Sequence, residues 1–387
     1  MTTTINKEQK NPNVPNLRFP EFEGEWKRHS LTDFMSFKNG MNPDAKRFGT
    51  GTKFISVMDI LNNQYICYDN IRASVELQDG DIEAYGVNYG DILFQRSSET
   101  LEDIGRANVY LDSKPAIFGG FVIRGKSKDN YNPLFFRYLL ASPTARKRII
   151  VKGAGAQHFN IGQDALSKVF IDIPTLKEQK KIGKLLQCLD ERIATQNKII
   201  DKLQSLIKGI RHDIFNDIQG EVLALSNIAD IYQPQTISSS DLTTEGYWVY
   251  GANGIIGKYK EYNHETEQIC ITCRGNTCGT VNYTQPKVWI TGNSMVINTD
   301  KYQRQVNKRF LFHYLSSYNF NSIVSGSGQP QIVRTPLEKI KVVLPTIEKQ
   351  VRIANSIDIV SEKIDTESLV LRLLENQKQY LLRQMFI

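Results

Sequence analysis

The apolar and polar positions of this chain fall into one pattern twice. From Leu166 to Ile182 the sequence reads Leu-Ser-Lys-Val-Phe-Ile-Asp-Ile-Pro-Thr-Leu-Lys-Glu-Gln-Lys-Lys-Ile, and from Leu337 to Ile353 it reads Leu-Glu-Lys-Ile-Lys-Val-Val-Leu-Pro-Thr-Ile-Glu-Lys-Gln-Val-Arg-Ile. The two stretches lie 171 residues apart, and the offset holds onward without a gap. Pro174-Thr175 answers Pro345-Thr346, Gln179 answers Gln350, Lys168 answers Lys339 and Phe215 answers Phe386. A repeat on this scale predicts two copies of one structural plan.

Each copy predicts a short apolar strand, a proline stop and one long helix. Thr175 and Glu178 form a T-x-x-E capping box at the first helix start. Apolar residues then recur every seventh position at Leu186, Ile193, Ile200, Ile207 and Ile214, beside a second series at Ile182, Leu189, Leu203 and Ile210. The later copy has Ile357, Ile364, Leu371 and Met385 beside Ile353, Val360, Leu374 and Leu381. Alternation by three and four is the a/d seam of a coiled coil. Gln196 and Glu367 interrupt the two seams at equivalent places, where a polar residue can fix register. Lys378 interrupts the second seam again, and its ammonium is expected to snorkel outward. A helix of about 40 residues spans roughly 60 Å and must bury a stripe of that length. The economical partner is the other helix, antiparallel if a pseudo-twofold relates the halves. The alternative is two amphipathic helices, each packed on its own globular part.

The expected fold class is α+β. Two globular parts of mixed α/β structure, residues 1–174 and 217–345, are separated by helices at 175–216 and 346–387. Residues 1–16 read as a disordered tail. Strand-like runs are Phe54-Ile-Ser-Val-Met58, Asp91-Ile-Leu-Phe-Gln95 and Gly120-Phe-Val-Ile-Arg124, and a helix is predicted from about Pro133 to Val151. The second half replays the order. Gln268–Arg274 answers the run ending at Arg96, Ser294–Ile297 answers Gly120–Ile123, and Arg309–Ser317 answers Leu134–Ser142. The loop Gly326-Ser-Gly-Gln-Pro-Gln331 stands in for Gly153–Asn160, which reads as two residues longer. Between these landmarks the globular parts share little, which suggests one frame carrying two different heads.

Composition changes this picture little. Apolar residues make up 40% of the 387, and the net charge of +7 suits an anionic partner without requiring one. No run approaches the length of a membrane span, and the polar N-terminus lacks a signal-peptide core. Five cysteines without a paired framework point to a reducing cytoplasm.

No catalytic arrangement is assigned. The run Gly251-Ala-Asn-Gly-Ile-Ile-Gly257-Lys258-Tyr259 has the wrong spacing for a phosphate loop. Asn132-Pro133-Leu134-Phe135 faintly resembles an amino-methyltransferase motif but lacks its second proline, and reads better as a helix start. Cys270, Cys273 and Cys278, with His264, could supply zinc ligands; the plainer reading is two strand cysteines and one loop cysteine, with no metal. What remains is loop chemistry. In the first half it comprises Lys53, Arg96, Ser97, Gln157, His158 and Asn160; in the second, Asn253, Lys258, Tyr259, Arg274, Asn276, Thr277, Gln329 and Gln331. Arg, Lys, Asn and Gln match base edges in the major groove, while hydroxyls and glycine-loop N–H groups suit phosphates. Set equivalently in both halves, they are candidate DNA contacts.

The layout resembles the specificity (S) subunit of type I restriction–modification systems over essentially the whole chain. The resemblance is carried by the loop at 326–331, by Leu-Glu-Lys-Ile-Lys-Val-Val-Leu-Pro at 337–345 with its helix, and by Phe54–Ile60 and Tyr250–Gly257. It implies two target-recognition domains, each reading half of a bipartite site in double-stranded DNA, with the helix pair as spacer. It also implies no catalytic centre and no cofactor on this chain. Two methyltransferase (M) subunits would carry S-adenosylmethionine and methylate adenine N6, and two restriction (R) subunits would use ATP and Mg. The alternative is a coiled-coil adaptor whose heads bind protein.

Overall fold

The computed structural model describes residues 13–155, 158–252, 254–326 and 328–387. The chain forms two compact units: residues up to Asn197 together with those from Val370 onward, and Lys198–Leu369. The central helix, Leu176–Asn216, and the terminal helix, Ile347–Gln384, each contribute to both.

The first unit is built on an antiparallel sheet ordered Met35–Asn39, Val122–Ser127, Ile92–Gln95, Ala107–Val109. Its strand Ile92–Gln95 is buried on both faces, which explains a run of four residues with no polar alternation. Ile92 and Phe94 join a core with Trp26, Phe135 and Phe136; Leu93 faces a second core with Ile55, Tyr110 and Phe118. That second core links the sheet to a smaller one, in which Phe48–Ile55 runs parallel to Ala116–Phe118. A ribbon pairing Lys27–Ser30 with Phe170–Ile173 leads into the central helix.

The second unit repeats this plan. Its large sheet is ordered Asp230–Tyr232, Ser294–Asn298, Ile269–Thr272, Val281–Tyr283. Ile269 and Ile271 face a core with Phe310 and Leu311, and Cys270 faces another with Tyr250, Val288 and Val296. The smaller sheet places Tyr247–Gly251 between Gly254–Tyr259 and Trp289–Ile290, the last pairing parallel. The ribbon of Glu221–Ala224 with Lys341–Leu344 leads into the terminal helix.

The repeated prolines and glutamines have a common structural reason. Gln179 is buried; its Nε2 donates to the Pro174 carbonyl (3.0 Å) and its Oε1 accepts from the Asn132 N–H (3.0 Å). Asn132 in turn caps the helix Pro133–Ala141 by accepting from the Phe135 N–H (2.9 Å). In the second unit Gln350 donates to the carbonyls of Pro345 (2.9 Å) and Gln305 (3.0 Å) and accepts from the Asn307 N–H (2.8 Å). Asn307 caps Lys308–Ser317 through the Phe310 N–H (2.9 Å). Phe386 packs on Phe135 at 5.5 Å between ring centroids, and Phe215 on Phe310 at 5.6 Å.

Within each unit the two long helices run antiparallel. In the first, Leu186 and Leu189 near the start of the central helix share a core with Leu374, Leu381 and Met385 near the end of the terminal one. In the second, Phe215 shares a core with Ile353 and Ala354. Leu186, Ile200, Ile207, Ile357 and Gln196 are buried, while Ile193, Ile364, Leu371 and Glu367 are half-buried. A charged network closes each junction. Asp190 on the central helix accepts from Arg137 (3.2 Å) and Tyr138 (2.9 Å) and pairs with Lys378 of the terminal helix (2.6 Å). In the second unit the roles are exchanged. Asp358 on the terminal helix accepts from Arg309 and from His313 Nε2 (2.7 Å), and Arg211 of the central helix donates to His313 Nδ1 (3.0 Å).

Several local expectations are corrected. Residues 13–16, expected in the tail, are placed: the Asn13 carbonyl accepts from the Trp26 N–H (2.9 Å) and Pro15 is buried. The helix predicted over 133–151 is two, Pro133–Ala141 and Pro143–Ile150, because Pro143 cannot continue the first. The run Phe54–Met58 is strand only to Ile55. Asp59 accepts from both the N–H (2.8 Å) and the hydroxyl (2.7 Å) of Ser56 and starts a helical turn there. Thr175 accepts from the Glu178 N–H (3.5 Å), but the buried Glu178 carboxylate bonds Arg18 (2.8 Å) and Trp26 (3.3 Å). Lys378 turns to Asp190 instead of snorkelling.

Two stability predictions follow from these contacts. Gln350→Leu removes the partner of the buried Pro345 carbonyl and of the partly buried Gln305 carbonyl and Asn307 N–H. It should lower unfolding free energy by about 2–5 kcal/mol, measured by denaturant titration; a wild-type midpoint would refute the clip. The second concerns pH. Burial pushes His313 down from 6.5 to about 4; the bond to Asp358 opposes this, and Arg211 and Arg309 assist it. His264, held between Tyr232 (2.9 Å) and Asn263 (2.6 Å), is likewise pushed down to about 4 by burial, with Asp300 opposing and Lys308 assisting. Both rings are neutral when folded, while unfolded imidazole binds a proton near 6.5. Stability is therefore full above 6.5 and falls as the pH drops toward 4. The loss at pH 5 should be about 2 kcal/mol per histidine, and His313→Gln should remove one share of the slope.

Candidate nucleic-acid interface

In each unit the end of the central strand of the large sheet is bound to a closed glycine arm. In the first, the Arg96 N–H donates to the Phe121 carbonyl (2.9 Å) and the Arg96 carbonyl accepts from the Ile161 N–H (3.0 Å). Ser97–Ser98 pairs with Phe159–Asn160. The arm closes on itself through reciprocal bonds between Ala154 and Asn160 (2.9 and 2.8 Å). In the second, the Cys273 N–H donates to Asn293 (3.0 Å), the Cys273 carbonyl accepts from Ile332 (3.0 Å), and Ser325 and Gln331 close the arm (2.9 and 2.8 Å). Arg274 pairs with Gln331. Gly155 (φ +139°) and Gly326 (φ +91°) make the turns; a Cβ there would strike the carbonyl oxygens of His158 and Gln329 respectively.

This register corrects the sequence reading in two ways. The arms Gly155–Asn160 and Gly326–Gln331 have equal length, so the 171-residue offset already holds through them. Arg96 stands where Cys273 stands, and Ser97 where Arg274 stands. The two arginines were expected to be counterparts, and their backbone bonds place them one residue apart.

The candidate side chains divide accordingly. His158, Asn160, Arg274, Asn276, Thr277, Gln329 and Gln331 are exposed around the two arms. The half-buried Ser97 hydroxyl donates to Asn160 Oδ1. The half-buried Arg96 guanidinium donates to the Gly120 carbonyl (3.2 Å). Arg274, Gln329 and Gln331 line an open cleft of about 500 Å³ with Asn293, Gly275 and Ala252. The Thr272 and Ser294 hydroxyls bond the Ala252 and Gly251 carbonyls, holding the hairpin tip beside that cleft. Lys258 and Tyr259 lie on this hairpin. The Lys258 ammonium sits 4.7 Å from the Trp248 ring centre, and Tyr259 packs edge-on against Trp289 at 5.0 Å. Lys53 is not gathered with the others; its ammonium donates to the Ile71 carbonyl (2.8 Å). Gln157 and Asn253 lie outside the described residues. Asn293 was missed, because only the strand register brings it to the cleft.

The other motifs are occupied by structure. Cys270, within the strand Ile269–Thr272, and Cys273, just past its end, face different cores, and His264 is held by Tyr232 and Asn263. Among the described residues no group of three or more His, Cys, Asp or Glu side chains is placed to hold a metal. Asn132-Pro133 is a helix cap. No helix among the described residues is long and apolar enough to cross a membrane. The two arms thus present fixed backbone, hydroxyl, amide and guanidinium groups, the repertoire of phosphate and base-edge contacts.

Comparison with known proteins agrees with this plan. A family model described as the type I restriction modification DNA specificity domain matches residues 23–205 and again 218–376. The type I restriction enzyme MjaVIII specificity subunit of Methanocaldococcus jannaschii is 24% identical over 409 residues, covering 93% of this chain and 91% of its own length. The EcoprrI specificity subunit of Escherichia coli is 29% identical over 156 residues, covering 39% of this chain and 37% of its own. Among solved structures, the S subunit of a type I restriction–modification system from M. genitalium superposes with a TM-score of 0.65 at 17% identity, over 97% of this chain and 99% of that one. A chain from a structure addressing complex assembly and conformational transition of a type I system gives 0.56 at 14% identity, over 92% and 96%.

Proposed function

The chain belongs to the type I restriction–modification DNA-specificity family, whose model matches both its halves, and on that footing we propose how its two units do their work. It is the DNA-specificity subunit of a type I restriction–modification enzyme, the non-catalytic component of that complex. Each unit reads one half of a bipartite site in double-stranded DNA through the cluster around its glycine arm. The helix pair sets the gap between the halves and docks two methyltransferase subunits. Those subunits carry S-adenosylmethionine and methylate adenine N6, taking the target base out of the stack to reach it. Two restriction subunits, using ATP and Mg, complete the assembly in the cytoplasm, and this chain binds none of these cofactors itself.

One observation carries this reading. The two arms share a backbone, hydrogen bond for hydrogen bond, yet present different side chains: Ser97, His158 and Asn160 against Arg274, Gln329 and Gln331. A common frame suits the phosphate backbone, which every sequence offers. Differing side chains suit base edges, which differ between half-sites. Mapping N6-methyladenine in cells expressing the chain with its methyltransferase partner tests the proposal. A bipartite methylated motif is expected, and methylation without sequence preference would refute it.

Two substitutions refine the test. Arg274→Ala should relax recognition at one position of one half-site, by roughly 10- to 100-fold in discrimination, leaving the other half-site intact. Simultaneous change of both halves would overturn the assignment of one reader to each unit. Inserting seven helical residues after Gln196 and seven after Glu367 adds about 10 Å of rise, roughly three base pairs. The unread gap in the methylated motif should lengthen accordingly, and an unchanged gap would refute the spacer role.

A further inference from the structure

The units can be compared residue by residue beyond the arms. The Gly119 N–H donates to the Ile55 carbonyl (3.0 Å), and the Thr291 N–H to the Tyr250 carbonyl (2.9 Å). Two residues later the Phe121 carbonyl accepts from Arg96 and the Asn293 carbonyl from Cys273. Phe121 therefore stands where Asn293 stands.

The surroundings of this one shared position differ between the units. In the second unit it lies in the polar cleft of Arg274, Asn293, Gln329 and Gln331. In the first, Phe121 lines an apolar hollow of about 390 Å³ with Met41, Phe54, Val57 and Met58 among others, and Ser97, His158 and Asn160, the counterparts of Arg274, Gln329 and Gln331, are not among its lining residues. Its rim is open: Phe121 is 69% exposed, Met58 58% and Phe48 44%. Large apolar side chains grouped this way mark a contact surface. The Arg96 guanidinium bonds the Gly120 carbonyl at the edge of the hollow, so the surface is continuous with the cluster proposed to meet DNA.

The geometry points to a thymine-reading site: the hollow rimmed by Phe121 and Met58 receives the 5-methyl group of a thymine in the half-site read by the first unit. This rests on the DNA-reading function proposed above. Thymine alone among the four bases offers a methyl group in the major groove, and an aromatic side chain is a fitting contact for it. The contrast at this position argues against an occupant bound alike by both units. A partner protein bound alike by both units would meet exposed Phe121 in one and Asn293 in the other. The base sequence of the half-sites is what differs between them. The second unit has the Asn293 amide at the position of Phe121, beside the Arg274 cleft, and reads base edges there by hydrogen bonds.

The test uses the full chain in complex with its methyltransferase partner and a duplex carrying the mapped motif. The half-site relaxed by Arg274→Ala belongs to the second unit, which leaves the other to the first. Replacing thymine by deoxyuridine removes only the methyl group. In the first unit's half-site this should weaken binding about fourfold at the contacted position, the worth of one buried methyl. Phe121→Ala should bind thymine and deoxyuridine duplexes equally, and Phe121→Leu should keep part of the preference. Equal binding of both duplexes by the unaltered chain, or a first half-site without thymine, would overturn the inference while leaving the DNA-reading function standing. Loss of methyltransferase assembly in Phe121→Ala would overturn it in favour of a protein contact. Absence of any sequence-specific binding would remove the function beneath it.

Discussion

One buried glutamine in each unit fixes the angle at which a long helix leaves the globular part before it. The proline at the strand end has no N–H to give, and its carbonyl is carried into the core. The amide of Gln179 or Gln350 satisfies that carbonyl and, with its oxygen, the first free N–H of the neighbouring capped helix. A buried amide with both ends bonded holds direction as well as position. The partners at Pro174, Asn132, Pro345 and Asn307 are all backbone atoms. The clip is therefore indifferent to the side chains elsewhere in the unit, and one joint can serve two unlike heads.

The charged networks behind the clip show how much latitude remains. Tyr138 and His313 occupy equivalent places on the capped helices, since Asn132 and Asn307 cap both in the same way. Each reaches an aspartate on a long helix, but Asp190 is on the central helix and Asp358 on the terminal one, displaced by about a turn from the repeat position. Burial raises the Tyr138 phenol, so it stays a donor across the ordinary pH range. His313 can donate from Nε2 only because Arg211 donates to Nδ1, which forces the neutral ring. Burial works against ionised Asp358, yet the bonds from Arg309 and His313 keep its carboxyl below the usual range. The same mechanical task is thus done once by a pH-insensitive donor and once by a pH-sensitive one.

The long elements were legible in the sequence because their periodicity is strong. A seam at Leu186, Ile193 and Ile200, answered 171 residues later by Ile357, Ile364 and Leu371, admits few structures, and the helices begin within two residues of the prolines. Short elements were less legible, because one local bond decides them. Asp59 turns a β-branched run into a helix start after Ile55, and Pro143 divides an apolar helix in two. The site residues were legible as types but not as partners. Lys53 was expected in the cluster, but the Ile71 carbonyl takes its ammonium, an acceptor that sequence spacing does not announce. Asn293 and Phe121 were passed over because their relation exists only through strand register.

That register separates what the two units share from what they do not. Shared are the arm closures, the left-handed glycines and the bonds from the strand end to the arm. These are backbone features, bonded within the chain, and they fix the positions from which the side chains project. Unshared are the groups standing on that frame: Ser97 against Arg274, His158 against Gln329, Asn160 against Gln331, Phe121 against Asn293. Side chains at fixed positions on a fixed backbone can be exchanged with little cost to the fold, because most of these residues are exposed. The side chains on the frame can therefore change while the joint, the arm and the helices stay as they are.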